Sequence, residues 1–211
     1  RVAIASRKEE GLRRARQEIL DSCGKEVSYY TVDAGDEESV VTLFQAAVAE
    51  FGRIDILVNA QGFNKKFPAT QFPMDVWDQM FNVNVRSLML TCKHFGAHMK
   101  ENGRGKIINL SSVRGIRACG GGNTGYGATK GAVDMMTRML AKELGPEVCV
   151  NAIGPTVTYT PMMVGILPED PKERAAKGAN MPLQRIGEPE DCAGPQSAEG
   201  AYWPLLPPAP W

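Results

Sequence analysis

The sequence lacks long apolar runs and has no excess of charge of either sign. Lysine and arginine total 24, and aspartate and glutamate also total 24. A nucleic acid or an anionic membrane attracts a protein through a field of one sign, so this balance disfavours both partners. No stretch reaches the roughly 18 apolar residues that span a bilayer, and the N-terminus shows no basic-then-apolar signal arrangement. We therefore expect a cytoplasmic protein whose partner is a small molecule.

Cysteine and histidine are also scarce. The cysteines are odd in number, widely scattered and never in a C-x-x-C arrangement, which disfavours a disulfide framework and a zinc site. His94 and His98 stand one helical turn apart, a spacing that two metal ligands can have. No glutamate general base lies between them, however, and no third ligand is apparent. We expect no metal site and a structural role for both histidines.

What the chain does have is a regular alternation of apolar strand patterns and helical patterns. Its 211 residues, 43% of them hydrophobic, suffice for one domain with a sizeable core. The patterns predict strands over residues 2–6, 27–32, 54–59, 106–110 and 148–153, and helices over residues 9–20, 38–51, 74–99 and 127–144. Strands that alternate with helices predict an α/β fold, with a doubly wound parallel sheet covered on both faces.

Polar residues follow every predicted strand. In a doubly wound sheet the ligand lies at the carboxyl ends of the strands, so these residues are expected to line one crevice. They are Ser6 and Arg7 after the first strand, Asp33 after the second, residues 59–62 after the third, Ser111 and Ser112 after the fourth, and residues 154–160 after the fifth.

Tyr126 and Lys130 are the candidate proton-transfer pair. Their i to i+4 spacing at the start of a helix places a phenol and an ammonium on one face. A cation about 4 Å from the phenolate, at an effective dielectric near 20, stabilises it by roughly 4 kcal/mol, which lowers a tyrosine pKa of about 10 by up to about three units. The same spacing also arises by chance on solvated helix faces. Ser112, fourteen residues earlier at the end of a strand, favours the catalytic interpretation because its hydroxyl can bond the same substrate oxygen.

Several motifs in order resemble the short-chain dehydrogenase/reductase family over residues 2–195. They are D-I-L-V-N-A-Q-G (55–62), F-N-V-N-V (81–85), G-K-I-I-N-L-S-S-V (105–113), Y-G-A-T-K (126–130) and V-N-A-I-G-P (150–155). The resemblance implies a Rossmann-type fold in which Ser112 holds the substrate oxygen and Tyr126 is the acid or base. It implies that Lys130 lowers the Tyr126 pKa and binds the nicotinamide ribose, and that Asn84 anchors a relay water. If the match to the family motif is shifted by one residue, Ser111 rather than Ser112 holds the substrate oxygen.

The residues after the first predicted strand bear on the choice of cofactor. In this fold an acidic residue at that position binds the ribose of NAD, whereas a cation accommodates the 2′-phosphate of NADP. Ser6 and Arg7 stand there, so we expect NADP rather than NAD, although a merely solvated basic turn would leave the choice open. The resemblance further implies cofactor contacts at Asp33, at Asn59, Ala60 and Gly62, and at Pro155, Thr158 and Thr160.

The runs V-N-A-Q-G-F-N-K-K-F-P-A-T (58–70) and G-P-T-V-T-Y-T-P-M (154–162) resemble the gluconate 5-dehydrogenase branch of that family, with its related sugar and polyol dehydrogenases. The resemblance implies a small hydroxylated substrate, a sugar acid or a polyol. Asn64, Arg114 and residues 162–180 are the expected substrate-facing positions, and most of them suit a solvated loop equally well.

The ends of the chain depart from the family pattern. The sequence begins at what would be the second strand and contains no T-G-x-x-x-G-x-G loop. The first strand would lie between the strands that hold Ala5 and Leu57, so we expect the sheet to have a gap there or to close abnormally. Residues 1–195 are thus predicted to form an incomplete family domain, and residues 196–211 a proline-rich tail outside the family pattern, without the last strand.

Three functions therefore compete at this point. The first is an NADP-dependent oxidoreductase that forms a homodimer or homotetramer through its two longest helices, as the resembled family commonly does. The second is a catalytically incompetent fragment or scaffold without the phosphate-binding loop. The third is a Rossmann-type binding module with a regulatory role.

Overall fold

The strands predicted from the sequence form two separate parallel sheets. The computed structural model describes residues 1–160, 163, 166–179, 181 and 183–197. β1 (Ala3–Ser6) pairs with β2 (Ser28–Thr31), and β3 (Ile56–Asn59), β4 (Gly105–Leu110) and β5 (Val148–Ile153) form a second sheet in that order. All pairings are parallel, with Ala3 opposite Ser28, Ile56 opposite Lys106, and Gly105 opposite Val148. The predicted α/β fold is confirmed, and so is the expected gap between the strands of Ala5 and Leu57.

Helices connect these strands, as the alternating pattern predicted. They are α1 (Glu9–Cys23), α2 (Glu37–Phe51), α3 (Met74–Phe81), α4 (Ser87–Glu101) and α5 (Thr124–Leu144). Asp36 caps α2 by accepting a hydrogen bond from Ser39 N at 2.9 Å, and Gly52, at a φ of 76°, ends it. The described helices include none that is both long and apolar enough to cross a membrane.

The single helix predicted over residues 74–99 is wrong in one respect. Helices α3 and α4 flank a π-helical turn, Asn82–Arg86, in which Asn84 is buried. A π-helical turn is a local irregularity that hydrophobic periodicity does not reveal, because the apolar stripe continues on both sides of it.

The main core lies between the three-stranded sheet and the helices α4 and α5. Its buried members are apolar side chains from these elements: Leu88, Cys92, Met99, Ile107, Val133, Leu140, Val148 and Val150. A smaller cluster of Val32, Val40 and Leu90 connects β2 and α2 to α4. Burial of these side chains fixes the start of α5 relative to the carboxyl end of β4.

The two histidines lie at the contact between α2 and α4. His94 Nε2 is 3.2 Å from Glu37 Oε1, and the Phe44 ring packs edge-on against His98 with centroids 5.6 Å apart. His98 Nε2 also accepts a hydrogen bond from Ile54 N at 3.4 Å. These contacts account for both side chains as parts of the helix packing.

The chain divides into two compact units, Arg1–Gly154 and a second that begins at Pro155. In the second unit, Thr158 and Gly187 form an isolated parallel bridge, and Arg174 lies 4.0 Å from the Tyr159 ring centroid. Its helices are α6 (Pro171–Gly178) and α7 (Pro189–Ser197). The predicted domain end at residue 195 stays a prediction, and residues 198–211 of the predicted tail lie outside the described residues.

Candidate active site

The first two turns of α5 position Tyr126 and Lys130. Because the helix begins at Thr124, both residues lie within regular helix and share one face. Lys130 is only 4% exposed, and its Nζ lies 5.7 Å from the centroid of the Tyr126 ring. Nζ also donates a 2.6 Å hydrogen bond to the main-chain oxygen of Leu110, the last residue of β4. The helix spacing and the end of the strand thus bring the predicted pair together.

Ser112, rather than Ser111, faces the phenol. The Ser112 hydroxyl is close enough to Tyr126 to oppose the rise in the tyrosine pKa, and its oxygen accepts a bond from Arg114 N at 3.2 Å. Ser111 instead donates to the main-chain oxygen of Lys130 at 3.3 Å. Neighbouring residues of an extended segment point to opposite sides, so only one of the two serines can face the phenol.

Asn84 holds the loop that follows β3 against α5. Its Oδ1 accepts from Phe63 N at 2.9 Å, and its Nδ2 donates to Phe63 O and to Thr129 Oγ1, each at 3.0 Å. Both ends of this carboxamide are therefore bonded to protein. By these bonds Asn84 positions the loop after β3 relative to α5. The predicted binding of a relay water by Asn84 stays a prediction.

Burial is the main influence on the pKa values of Tyr126 and Lys130. Burial raises the pKa of Tyr126, with the Ser112 hydroxyl opposing the rise. The lowering of this pKa by Lys130 stays a prediction. Burial also lowers the pKa of Lys130 from 10.5 to about 8, against the attraction of Asp134. Near neutral pH the site therefore holds a protonated phenol beside a protonated, weakly hydrated ammonium.

Gly62 lies beside both Lys130 and Asn84. A Cβ added to this glycine would lie 3.3 Å from Asn84 Oδ1 and 3.6 Å from Lys130 Nζ. The missing side chain keeps the space next to the ammonium open, which is what a ligand approaching Lys130 requires. Ala60, also predicted to contact the cofactor, is exposed.

Asn59 was predicted to contact a cofactor, and that contact stays a prediction. Its side chain is 3% exposed and hydrogen-bonded within the protein. Nδ2 donates to Asn109 Oδ1 at 2.9 Å, and Oδ1 accepts from Thr91 Oγ1 at 2.7 Å. Any cofactor contact at Asn59 is therefore left to its main chain.

The remaining predicted cofactor residues follow the two-stranded sheet or belong to the second unit. Ser6 and Arg7 are exposed at the carboxyl end of β1, and Asp33 Oδ1 accepts from Gly35 N at 3.0 Å just after β2. These residues follow the two-stranded sheet, whereas Ser112 follows the three-stranded one. Pro155, Thr158 and Thr160 belong to the second unit, where the Thr158 hydroxyl donates to Thr156 O at 3.4 Å.

Of the predicted substrate-facing residues, Asn64 and Arg114 lie in described segments beside α5. Asn64 Nδ2 donates to Asn123 Oδ1 at 3.1 Å. Arg114 lines a cavity of about 340 Å³ together with Arg117, Gly127 and Ala128. The range 162–180 is described only in part, since residues 162, 164, 165 and 180 lie outside the described residues.

Sequence reasoning missed Thr129 and Asp134. Thr129 is fully buried; it accepts from Asn84 and donates to Tyr126 O at 2.8 Å. Asp134 stands four residues after Lys130, and its charge raises the lysine pKa. The i to i+4 rule that identified Lys130 from Tyr126 identifies Asp134 from Lys130 when it is applied once more.

Comparison with known proteins shows the family of this chain. A family model described as enoyl-(acyl carrier protein) reductase matches residues 1–196. The short-chain reductase protein NovJ of Streptomyces niveus is 36% identical over 201 residues, which cover 91% of this chain and 74% of NovJ.

Two solved structures share the fold. One is a gluconate 5-dehydrogenase from Burkholderia cenocepacia in complex with NADP and tartrate, with a TM-score of 0.81 and 27% identity over 91% of this chain and 74% of that one. The other is an NAD+-bound xylitol dehydrogenase, with a TM-score of 0.79 and 27% identity over 88% of this chain and 76% of that one. With the Tyr126–Lys130 pair beside Ser112, the family match and these likenesses show that the chain belongs to the short-chain dehydrogenase/reductase family of oxidoreductases.

Proposed function

We propose that this chain transfers a hydride between NADP(H) and the carbon of an alcohol or carbonyl group, with Tyr126 as the acid or base. The observation that carries the proposal is the convergence of three groups at the start of α5. The phenol of Tyr126, the buried ammonium of Lys130 and the hydroxyl of Ser112 lie at the carboxyl end of β4.

The raised pKa of Tyr126 keeps the phenol protonated near neutral pH, so its proton is in place for donation. In the reductive direction the phenol gives its proton to the carbonyl oxygen, and the Ser112 hydroxyl donates a second hydrogen bond to that oxygen. The nearby Lys130 ammonium stabilises the phenolate that forms. A bound nicotinamide would supply or accept the hydride.

The residues around Lys130 fit a nicotinamide cofactor. The ammonium uses one N–H in its bond to Leu110 O, which leaves two donors for ribose hydroxyls. The missing side chain at Gly62 leaves room for such a ligand beside Nζ. These features support the proposed function of Lys130 and of the segment 59–62.

Exposed Ser6 and Arg7 at the end of β1 support NADP over NAD, because a guanidinium bonds a phosphate bidentately. The NADP complex of the related gluconate 5-dehydrogenase agrees with this choice, while the related xylitol dehydrogenase binds NAD+. Arg7→Ala should weaken NADPH binding about tenfold and leave NADH binding nearly unchanged, as measured by fluorescence titration. Equal weakening of both cofactors would contradict the assignment.

The substrate that we propose is a small hydroxylated compound, a sugar acid or a polyol. The gluconate and xylitol dehydrogenases among the structural relatives support this class. The carboxamide of Asn64 and the guanidinium of Arg114 provide polar groups near α5. A screen of sugar acids and polyols with NADP and NAD tests the class directly.

Tyr126→Phe tests the mechanism. Removal of the phenolic hydroxyl should lower kcat by about 10²- to 10⁴-fold, because general acid–base catalysis contributes that much, and should leave NADPH binding intact. Tyr29→Phe is the matched control, since the Tyr29 hydroxyl donates its hydrogen bond to the surface residue Glu9, at 3.4 Å. Retained turnover in Tyr126→Phe would exclude Tyr126 as the acid or base.

A catalytically incompetent scaffold is the second candidate, and the separation of β1–β2 from β3–β5 favours it. A cofactor that must contact both sheets loses preorganisation when they are not joined. Fluorescence titration with NADPH distinguishes the two functions. Binding of NADPH with turnover supports the oxidoreductase. Absence of binding supports the scaffold. If NADPH does not bind and a cellular function of the chain survives Tyr126→Phe, the regulatory module is supported instead.

We also propose that the chain forms a homodimer or homotetramer through α4 and α5. Met89 on α4 and Met135 and Met139 on α5 are between 44% and 55% exposed, which is high for large apolar side chains on neighbouring helices. Sedimentation equilibrium measures the assembly state directly.

A further inference from the structure

Two carboxamides in the loop after β3 each have one buried atom without a hydrogen-bond partner among the described residues. They are the amide nitrogen of Gln61 and the side-chain oxygen of Asn64. Buried polar atoms in folded chains are nearly always paired, so each of these atoms needs an explanation.

A chain of hydrogen bonds fixes the orientation of Asn64. Asn123 Nδ2 donates to the main-chain oxygens of Gly120 at 3.1 Å and Gly121 at 3.4 Å. Carbonyl oxygens can only accept, so the oxygen of Asn123 must point the other way, where it accepts from Asn64 Nδ2 at 3.1 Å. The unpaired end of Asn64 is therefore its oxygen, which is an acceptor only.

The same loop is tied to the candidate active site on both sides of Asn64. Before it, the main chain of Phe63 bonds to Asn84, and Gly62 lies next to Lys130 Nζ. After it, the side chain binds Asn123, the residue directly before α5 and three positions before Tyr126. The loop that carries the unpaired acceptor is thus bonded to residues that adjoin Lys130 and Tyr126.

We propose that Asn64 Oδ1 accepts a hydrogen bond from a substrate hydroxyl, so that the protein selects carbonyl compounds that carry a hydroxyl group near the reacting carbon. This inference rests on the proposed function. A site built to bond a hydroxyl discriminates against the analogue without it, because its own polar atom is then left unpaired.

A neutral hydroxyl fits this position better than a cationic donor. The ammonium of Lys130 lies on one side of the loop, and the exposed Lys65 and Lys66 follow Asn64 directly. Positive charge around the acceptor disfavours a substrate ammonium.

A structural alternative uses the same atoms. Gln61 Nε2 is a donor three residues from the Asn64 acceptor, and a bond between the two carboxamides would satisfy both. In that case Asn64 supports the loop only, and its removal affects all substrates alike.

The test compares three ketones with the full chain: 3-hydroxy-2-butanone, 4-hydroxy-2-butanone and 2-butanone. We expect the wild-type protein to prefer at least one hydroxyketone over 2-butanone in kcat/KM. Asn64→Ala should reduce that preference about five- to tenfold, mainly through KM, because one hydrogen bond made in both ground and transition states is lost. Lys65→Ala, the adjacent exposed position, is the matched control and should keep the preference.

The structural alternative predicts that Asn64→Ala keeps the preference for hydroxyketones and loses as much thermal stability as Gln61→Ala. That result would overturn the proposal. Binding of the three ketones, measured by saturation-transfer NMR, keeps the test independent of turnover. If the proposed catalytic function fails, turnover is absent with every ketone. Selective weakening of hydroxyketone binding in Asn64→Ala still supports the proposal, and equal binding of all three ketones to both proteins overturns it.

Discussion

Lys130 destabilises the fold at the pH where the proposed chemistry needs its charge. The unfolded chain holds the lysine proton with the ordinary pKa of 10.5, whereas the folded chain holds it with a pKa of about 8. The folded state therefore binds this proton more weakly, and the penalty is fully present below pH 8. It disappears as the pH rises from 8 towards 10.5, because the folded chain loses its proton first.

Lys130→Met should accordingly stabilise the protein at pH 7 by about 1 to 3 kcal/mol while abolishing the proposed activity. The upper value follows from the pKa shift, and the lost bond to Leu110 O offsets part of it. At pH 10 the gain should shrink towards zero. Urea unfolding at the two pH values measures this, with exposed Lys142→Met on the same helix as the control. An equal change at both pH values would contradict the assigned pKa.

At the scale of elements, a buried chain of polar side chains joins two helices through two strands. Thr91 on α4 donates to Asn59 on β3, Asn59 donates to Asn109 on β4, and Asn109 donates to Thr137 on α5 at 2.9 Å. Asn109 is fully buried in the middle of this chain. Each bond requires the strands and helices to be in register, so the network specifies how the layers meet.

Asn109→Leu should destabilise the protein by about 2 to 4 kcal/mol, because the Asn59 amide loses its acceptor on Asn109 and the Thr137 hydroxyl loses its donor, keeping only its bond to Val133 O. The double variant Asn59→Leu/Asn109→Leu should lose less than the sum of the two single variants, since the two residues contact each other. Chemical unfolding midpoints measure all three changes. Strict additivity would mean that the bond between them contributes little.

At the scale of the whole molecule, two strand edges are left open. Among the described residues β1 pairs only with β2 and β3 only with β4, and Ile56 and Val58 on β3 are 57% and 43% exposed. Unpaired apolar strands are templates for association with other chains. We therefore expect the open edges to promote self-association separately from the exposed methionines of α4 and α5.

Val58→Lys should reduce concentration-dependent self-association, because a charge on an open strand opposes edge-to-edge pairing. Light scattering across a concentration series measures the effect. Ile116→Lys is the control variant. Ile116 is also apolar and is more exposed, at 74%, but it lies at the end of a 3₁₀ turn and not on a strand. If both variants reduce association equally, general surface hydrophobicity rather than the strand edge is the cause.

Local rules predicted much of the fold and the closeness of Tyr126 and Lys130. The strand over residues 148–153 is found with the predicted bounds, and α5 places Tyr126 and Lys130 on one face because helix geometry alone dictates the i to i+4 contact. The gap between the strands of Ala5 and Leu57 also followed from sequence motifs and their order.

The tertiary structure decided the features that depend on distant neighbours. The direction of the Asn59 side chain depends on Asn109, fifty positions away, and the unpaired oxygen of Asn64 depends on the carbonyls of Gly120 and Gly121. The Tyr126 pKa rises because folding removes water from the phenol, a desolvation that no spacing of residues expresses. The sequence by itself thus determined which groups meet on one helix, while packing determined their hydration and hydrogen-bond partners.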